Sequence, residues 1–171
     1  VCSSDLVAVV KLSNGTYMPL DPTWVPFCRE LWSSAEQQQN YLPGVPEGSD
    51  LCITPVSAPE NHYVRIKADN RLDADGTLRG TFTLTAEGQS DSNIRRIFTT
   101  GFRSEWKNTM ESQLLAISPK AKLLSVDYGK NPKDYQAAPI KITFRYEIPD
   151  YALKGEKEMF FRPLVMNNLY N

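Results

Sequence analysis

Apolar and polar residues alternate without a break over Pro139–Ile148. Ile140, Ile142, Phe144, Tyr146 and Ile148 fall on one side, and Lys141, Thr143, Arg145 and Glu147 on the other. A period of two is that of a strand with one buried face. Thr77–Glu87 repeats it, with Leu78, Gly80, Phe82, Leu84 and Ala86 set against threonine and arginine. Tyr63–Ala68 and Lys122–Tyr128 predict two more strands, and Glu158–Leu164 a last one. Asp73-Ala74-Asp75-Gly76 and Asn131-Pro132-Lys133-Asp134 predict turns, and Pro149-Asp150-Tyr151 a break.

The period changes in the middle of the chain. Ile94, Ile97, Phe98, Gly101, Phe102, Glu105, Trp106, Thr109, Met110, Gln113, Leu114 and Ile117 follow one another at spacings of three and four. That predicts one helix of about 24 residues with a broad apolar stripe, ending before Pro119. Asp91 or Ser92 is expected to cap it. Arg95, Arg103, Lys107, Asn108 and Glu111 are expected on its polar face. Packing on a sheet accounts for the three aromatics of the stripe better than a ligand groove does.

Near the N-terminus, Val7–Trp24 reads as a hairpin around Asn14-Gly15, since both residues tolerate positive φ. A two-residue turn there pairs Ser13 with Thr16 and sends position 5 and Asp21 to opposite faces. A three-residue loop with Gly15 in a bulge pairs Leu12 with Thr16. Asp21 then faces Val7, with position 5 its diagonal neighbour on the same face. From 25 to 60 the chain is irregular and rich in proline, with an expected short helix at 34–40, an expected strand at Leu51–Thr54 and a boundary near Pro59.

Composition narrows the function classes. With 171 residues, 41% hydrophobic and 23% charged, the chain has ordinary globular proportions. The formal net charge of −1 gives no electrostatic case for nucleic acid or an anionic membrane, and no apolar run is long enough to span a bilayer. Three cysteines, Cys2, Cys28 and Cys52, and one histidine, His62, include no CxxC pair, so no metal or other cofactor is expected. His62 reads as a surface or packing residue. Asp73, Asp75 and Gly76 start like a calcium loop, but the twelfth place is Leu84, so a plain turn is expected.

On spacing alone, Asp21-Pro22 marks the start of a turn. The run of strand, Asn-Gly turn, aromatic and Leu20-Asp21-Pro22-Thr23-Trp24 resembles the end of the catalytic core of the transglutaminase-like superfamily, papain-type folds with Cys, His and Asp. The resemblance implies that Asp21 is the catalytic acid that accepts a hydrogen bond from the imidazole. It would put the histidine near position 5, sixteen residues before Asp21, where this chain has Asp5. Val1–Leu6 resembles the translated end of a sequencing adapter, so Asp5 and Cys2 are expected to be non-native and the chain a fragment. The texture TLTAEG, SPKAKLLSVDYG and PIKITFRYEIPDYA resembles the accessory domain of unknown function that follows this core in some bacterial secreted proteins.

The expected fold class is therefore α+β: an N-terminal β-hairpin remnant of a transglutaminase-like core, then an antiparallel sheet packed on one long helix. Residues 1–6 are expected to be an artefact, 7–59 the end of the core and a linker, and 60–171 the accessory domain. The resemblance implies a parent cysteine hydrolase or acyltransferase acting on protein or peptide substrates outside the cytoplasm, in the periplasm or at the cell surface. This chain, lacking the Cys and His, is expected to be inactive. The alternative is a non-catalytic binding or structural module with a degenerate core.

Overall fold

A computed structural model of the chain describes residues 7–21, 32, 34–134, 136–137 and 139–164. Two short hairpins come first: β1 (Ala8–Lys11) with β2 (Tyr17–Leu20), and β3 (Asn40–Tyr41) with β4 (Cys52–Ile53). The short helix expected at 34–40 is a single 3-10 turn, Ser34–Glu36, because the chain must extend again at Asn40 to pair with Ile53. Another 3-10 turn, Pro59–Asn61, leads into the main sheet.

That sheet is antiparallel throughout and confirms the α+β class. β5 (Tyr63–Leu72) and β6 (Leu78–Glu87) form a full hairpin, and β7 (Lys122–Asp127) and β8 (Ile140–Ile148) complete the order β5-β6-β8-β7. The alternation read from sequence becomes two faces. Phe82, Leu84, Ile142, Phe144 and Tyr146 are fully buried under the helices, and the Phe82 and Phe144 rings stack at 4.3 Å. The opposite face carries threonine and charge, and no helix among the described residues lies over it. Burying each large apolar side chain contributes roughly 1.5–3 kcal/mol.

The single long helix is not observed. The chain forms α1 (Gln89–Thr100), an extended Gly101, a 3-10 turn (Arg103–Glu105) and α2 (Trp106–Ile117). Glycine is a poor helix former, and Thr99 and Thr100 before it bond back to the Arg96 carbonyl at 3.1 and 2.7 Å. The break lets Phe98 and Trp106 meet edge-on at 5.1 Å. In a straight helix, residues eight apart are separated by about 12 Å along the axis. Phe102, assigned to the apolar stripe by spacing, is instead exposed at the break. α1 rests on β5, β6 and β8, and α2 on β7.

Neither Asp91 nor Ser92 caps α1. Its N-cap is Gly88, at φ +64°, where a Cβ would overlap the Asn61 carbonyl oxygen and His62 Nδ1. Asp91 has another partner. Arg95, expected on the polar face, is 2% exposed and lies one turn after it. Its Nε donates to Asp91 Oδ2 at 2.5 Å, and its two terminal nitrogens donate to the carbonyls of Pro132, Asp134 and Ala137 at 2.8–3.1 Å. The other Asp91 oxygen accepts the Ile140 N–H at 2.6 Å. The charge is tolerated inside because both acid oxygens and four of the five guanidinium N–H groups are hydrogen-bonded. The last strand is also shorter than expected: among the described residues β10 (Met159–Phe160) pairs only with β9 (Leu153–Lys154), and Pro163 has no N–H to extend it.

On the core face, Gly80 leaves room for Tyr146, whose hydroxyl donates to Asn70 Oδ1 across the strand. A Cβ at Gly80 would overlap that Asn70 oxygen. Burial pushes the Tyr146 hydroxyl up to about 12 from its ordinary 10.0.

Two outcomes follow. Arg95→Met should lower the unfolding free energy by about 3–5 kcal/mol, since Asp91 is left buried without its counter-charge. Urea titration measures this, and amide exchange at Ile140 should accelerate with it. Tyr146 stabilises the fold fully below pH 10.0, where it is neutral in both states. Above that, the unfolded chain ionises first, so stability falls as pH rises towards about 12, by up to about 1.4 kcal/mol per pH unit. Urea midpoints between these limits should fall less steeply in Tyr146→Phe.

Candidate functional site

The hairpin at the start of the chain has the bulged turn. Ala8 pairs with Leu20 and Lys11 with Tyr17, and the Leu12 N–H donates to the Thr16 carbonyl at 2.8 Å. The loop is thus Ser13-Asn14-Gly15, with Gly15 at φ +83° and its N–H on the Leu12 carbonyl at 2.9 Å. Asn14 Oδ1 accepts both the Thr16 N–H and its hydroxyl. The same recipe closes β5 and β6. There Gly76 sits at φ +86°, Asp75 accepts the Thr77 N–H at 2.8 Å, and Asp73 pairs with Thr77. Those Thr77 bonds hold the Asp75 carboxyl below its usual range. Asp73 is taken by Arg71 at 2.7 Å and by Arg79, as a plain turn rather than a cation loop.

Continuing the register by one residue sets Asp21 opposite Val7. Asp21 is 4% exposed, although most of its hairpin is open to solvent, and Pro19 beside it on β2 is fully buried. A carboxylate withdrawn from water at a strand end can hold a hydrogen-bond donor in one orientation. Of the other positions tied to this site, Asp5, Cys2, Cys28 and Pro22-Thr23-Trp24 lie outside the described residues.

A second arrangement has the residue types of a catalytic dyad. Ser57 Oγ lies against His62 Nε2 across the Pro59–Asn61 turn. The ring's other nitrogen, Nδ1, accepts the Gln89 N–H at 3.0 Å at the start of α1. An acceptor at Nδ1 fixes the neutral ring as the Nε2–H tautomer, so Nε2 donates to Ser57 and has no lone pair to take its proton. A nucleophilic serine needs the opposite tautomer, with a carboxylate on Nδ1–H. His62 is therefore a packing residue that joins the irregular segment to α1. Sequence periodicity carries no trace of the contact, since 54–62 has none.

Cys52 is a half-buried free thiol opposite Tyr41, with Sγ 3.7 Å from the Asp50 carbonyl oxygen. Burial first, then the thiol, pushes the Tyr41 hydroxyl up. No histidine or acid side chain among the described residues is bonded to the sulfur. No group of three or more His, Cys, Asp or Glu side chains gathers as for a metal among the described residues. No helix among them is long and apolar enough to cross a membrane. No protein-family model matches the chain, and neither a curated protein nor a solved structure matches it.

The tautomer of His62 can be measured directly. Long-range ¹H–¹⁵N correlation of the histidine ring should show Nε2 protonated at neutral pH, and a fluorophosphonate probe should leave Ser57 unlabelled. Labelling at Ser57 would mean that His62 works as a base.

Proposed function

We propose that this chain carries the closing hairpin of a transglutaminase-like core followed by an α+β accessory unit, and that Asp21 is the imidazole-orienting acid of the parent enzyme. In that enzyme a Cys thiolate attacks an amide or peptide carbonyl carbon. The C–N bond breaks as the imidazolium gives its proton to the departing amine. Water, or a second amine, then attacks the thioester and restores the thiol. Asp21 accepts the imidazole N–H, selects the tautomer and steadies the imidazolium.

The observation that carries this reading is the turn. A three-residue loop at Ser13–Gly15 puts Asp21 across from Val7. The residue two before Val7 is then its diagonal neighbour on the same face, within side-chain reach. A two-residue turn would have sent that residue to the other face. The burial of Asp21 fits the same role. The parent is proposed to act outside the cytoplasm on protein or peptide. The 171 residues themselves have no assembled Cys–His pair among those described, and are proposed to be inactive alone.

A second reading, a binding or structural module with a degenerate core, is favoured by the open charged face of the sheet. The parent gene upstream of Val7 separates them. Histidine two residues before Val7 supports the enzyme, and a native Asp supports the module. For the enzyme, Asp21→Asn in the parent should lower kcat by at least about 100-fold with a smaller change in KM, and shift the acidic limb of its pH profile. Cys28- or Cys52-dependent amide hydrolysis by the 171-residue protein would overturn the assignment of the nucleophile to the parent.

A further inference from the structure

The side of the sheet away from the helices is grooved along β6. Thr81, Thr83 and Thr85 form the floor, because β6 contributes short side chains where its neighbours contribute long ones. Arg65 and Lys67 of β5 rise on one side, and Lys141 and Arg145 of β8 on the other. The two walls stand about 9–10 Å apart, two strand spacings. A hollow of about 430 Å³ beside Arg65, Lys67 and Lys141 continues past Thr81 into another of about 290 Å³ beside Arg145.

The charge of this trough runs against that of the chain. Six cations, Arg65, Lys67, Arg71, Arg79, Lys141 and Arg145, line the two hollows with one carboxylate, Asp69, in a protein of net charge −1. At the far end, Arg71 and Arg79 are paired with Asp73, and Arg79 and Lys122 with Glu147. Arg65, Lys67, Lys141 and Arg145 are exposed and form no ion pair with a described residue. Like charges facing each other across a strand repel, which folding alone does not favour. A bound anion between the walls removes that repulsion.

We propose that this trough binds an extended acidic segment of a polypeptide. Arg65 and Lys67 are two residues apart on one strand, about 6.7 Å. An extended peptide presents alternate side chains at the same repeat, so acids at every second position meet successive cations. The Thr81 and Thr85 hydroxyls supply donors for the carboxylates between them, while Thr83 is bonded to Thr143 at 3.1 Å. Nucleic acid fits less well, since single strands are held by stacking on aromatic rings. The aromatic ring at the trough's end, Tyr63, is already covered by the Arg65 guanidinium at 4.9 Å. This inference does not rest on the role given to Asp21.

The test is fluorescence anisotropy of the 171-residue protein with a labelled peptide of about 12 residues alternating Glu and Thr. Saturable binding is expected at about 50 mM salt, weakening at about 200 mM. The pair Lys67→Glu and Lys141→Glu should weaken it at least about tenfold, and the milder Lys67→Ala and Lys141→Ala pair should act in the same direction. Arg96→Glu with Lys107→Glu, exposed on α1 and α2, should change it less than about twofold. Melting curves of all variants confirm folding. Absence of saturable binding, an equal loss from the helix pair, or tighter binding of oligo-dT or a sulfated glycan than of the peptide would overturn the proposal.

Discussion

The buried pair of Asp91 and Arg95 holds the two halves of this fold in register. Arg95 gathers three carbonyls from the loop between β7 and β8, and Asp91 takes the first N–H of β8. The pair therefore fixes where β8 begins. That matters because a slip of one residue would turn Ile142, Phe144 and Tyr146 to solvent and bring Thr143 and Arg145 inside. Two charges with both carboxylate oxygens and most N–H groups engaged specify a single arrangement, which apolar contacts alone do less sharply. Gly88 works alongside: only without a Cβ can the chain pass Asn61 and His62 and present Asp91 at the right turn.

Much of the sheet was legible because period two is local and redundant. β6 and β8 announce their buried faces within a few residues, β5 and β7 read as strands without a face, and each Asn-Gly or Asp-Gly announces its turn. The helix was read wrongly for the converse reason. One glycine inside a long apolar stripe barely alters its spacing, whereas the contact that rewards breaking there, Phe98 on Trp106 with Tyr128 alongside, is tertiary. Arg95 was misplaced likewise. Nothing near it in sequence shows that its partners are backbone carbonyls some forty positions on.

The candidate site divides in the same way. Asp21 stands out by resemblance; counting residues leaves two turns open beside it, and the structure has the bulged one. Its burial could not be counted. The Ser57–His62 contact was invisible, because the irregular segment has no period from which to infer neighbours. Residue types alone would have made that pair the stronger catalytic candidate; one backbone N–H, that of Gln89, decides its chemistry instead.

The strand order has a consequence for how the chain comes together. β8 is the last long strand to be made, yet it lies between β6 and β7. Until it arrives, the β5–β6 hairpin and β7 have no common neighbour, and the inner edge of β6 is an open row of N–H and C=O groups. Closing the sheet joins Ala86 to Ile140 over a long intervening stretch. The closure entropy of that loop is paid before most of the core forms. A growing chain therefore passes through a stage in which its central seam is empty, and the threonine and arginine on the outer face of β6 keep that unfilled edge from being apolar on both sides.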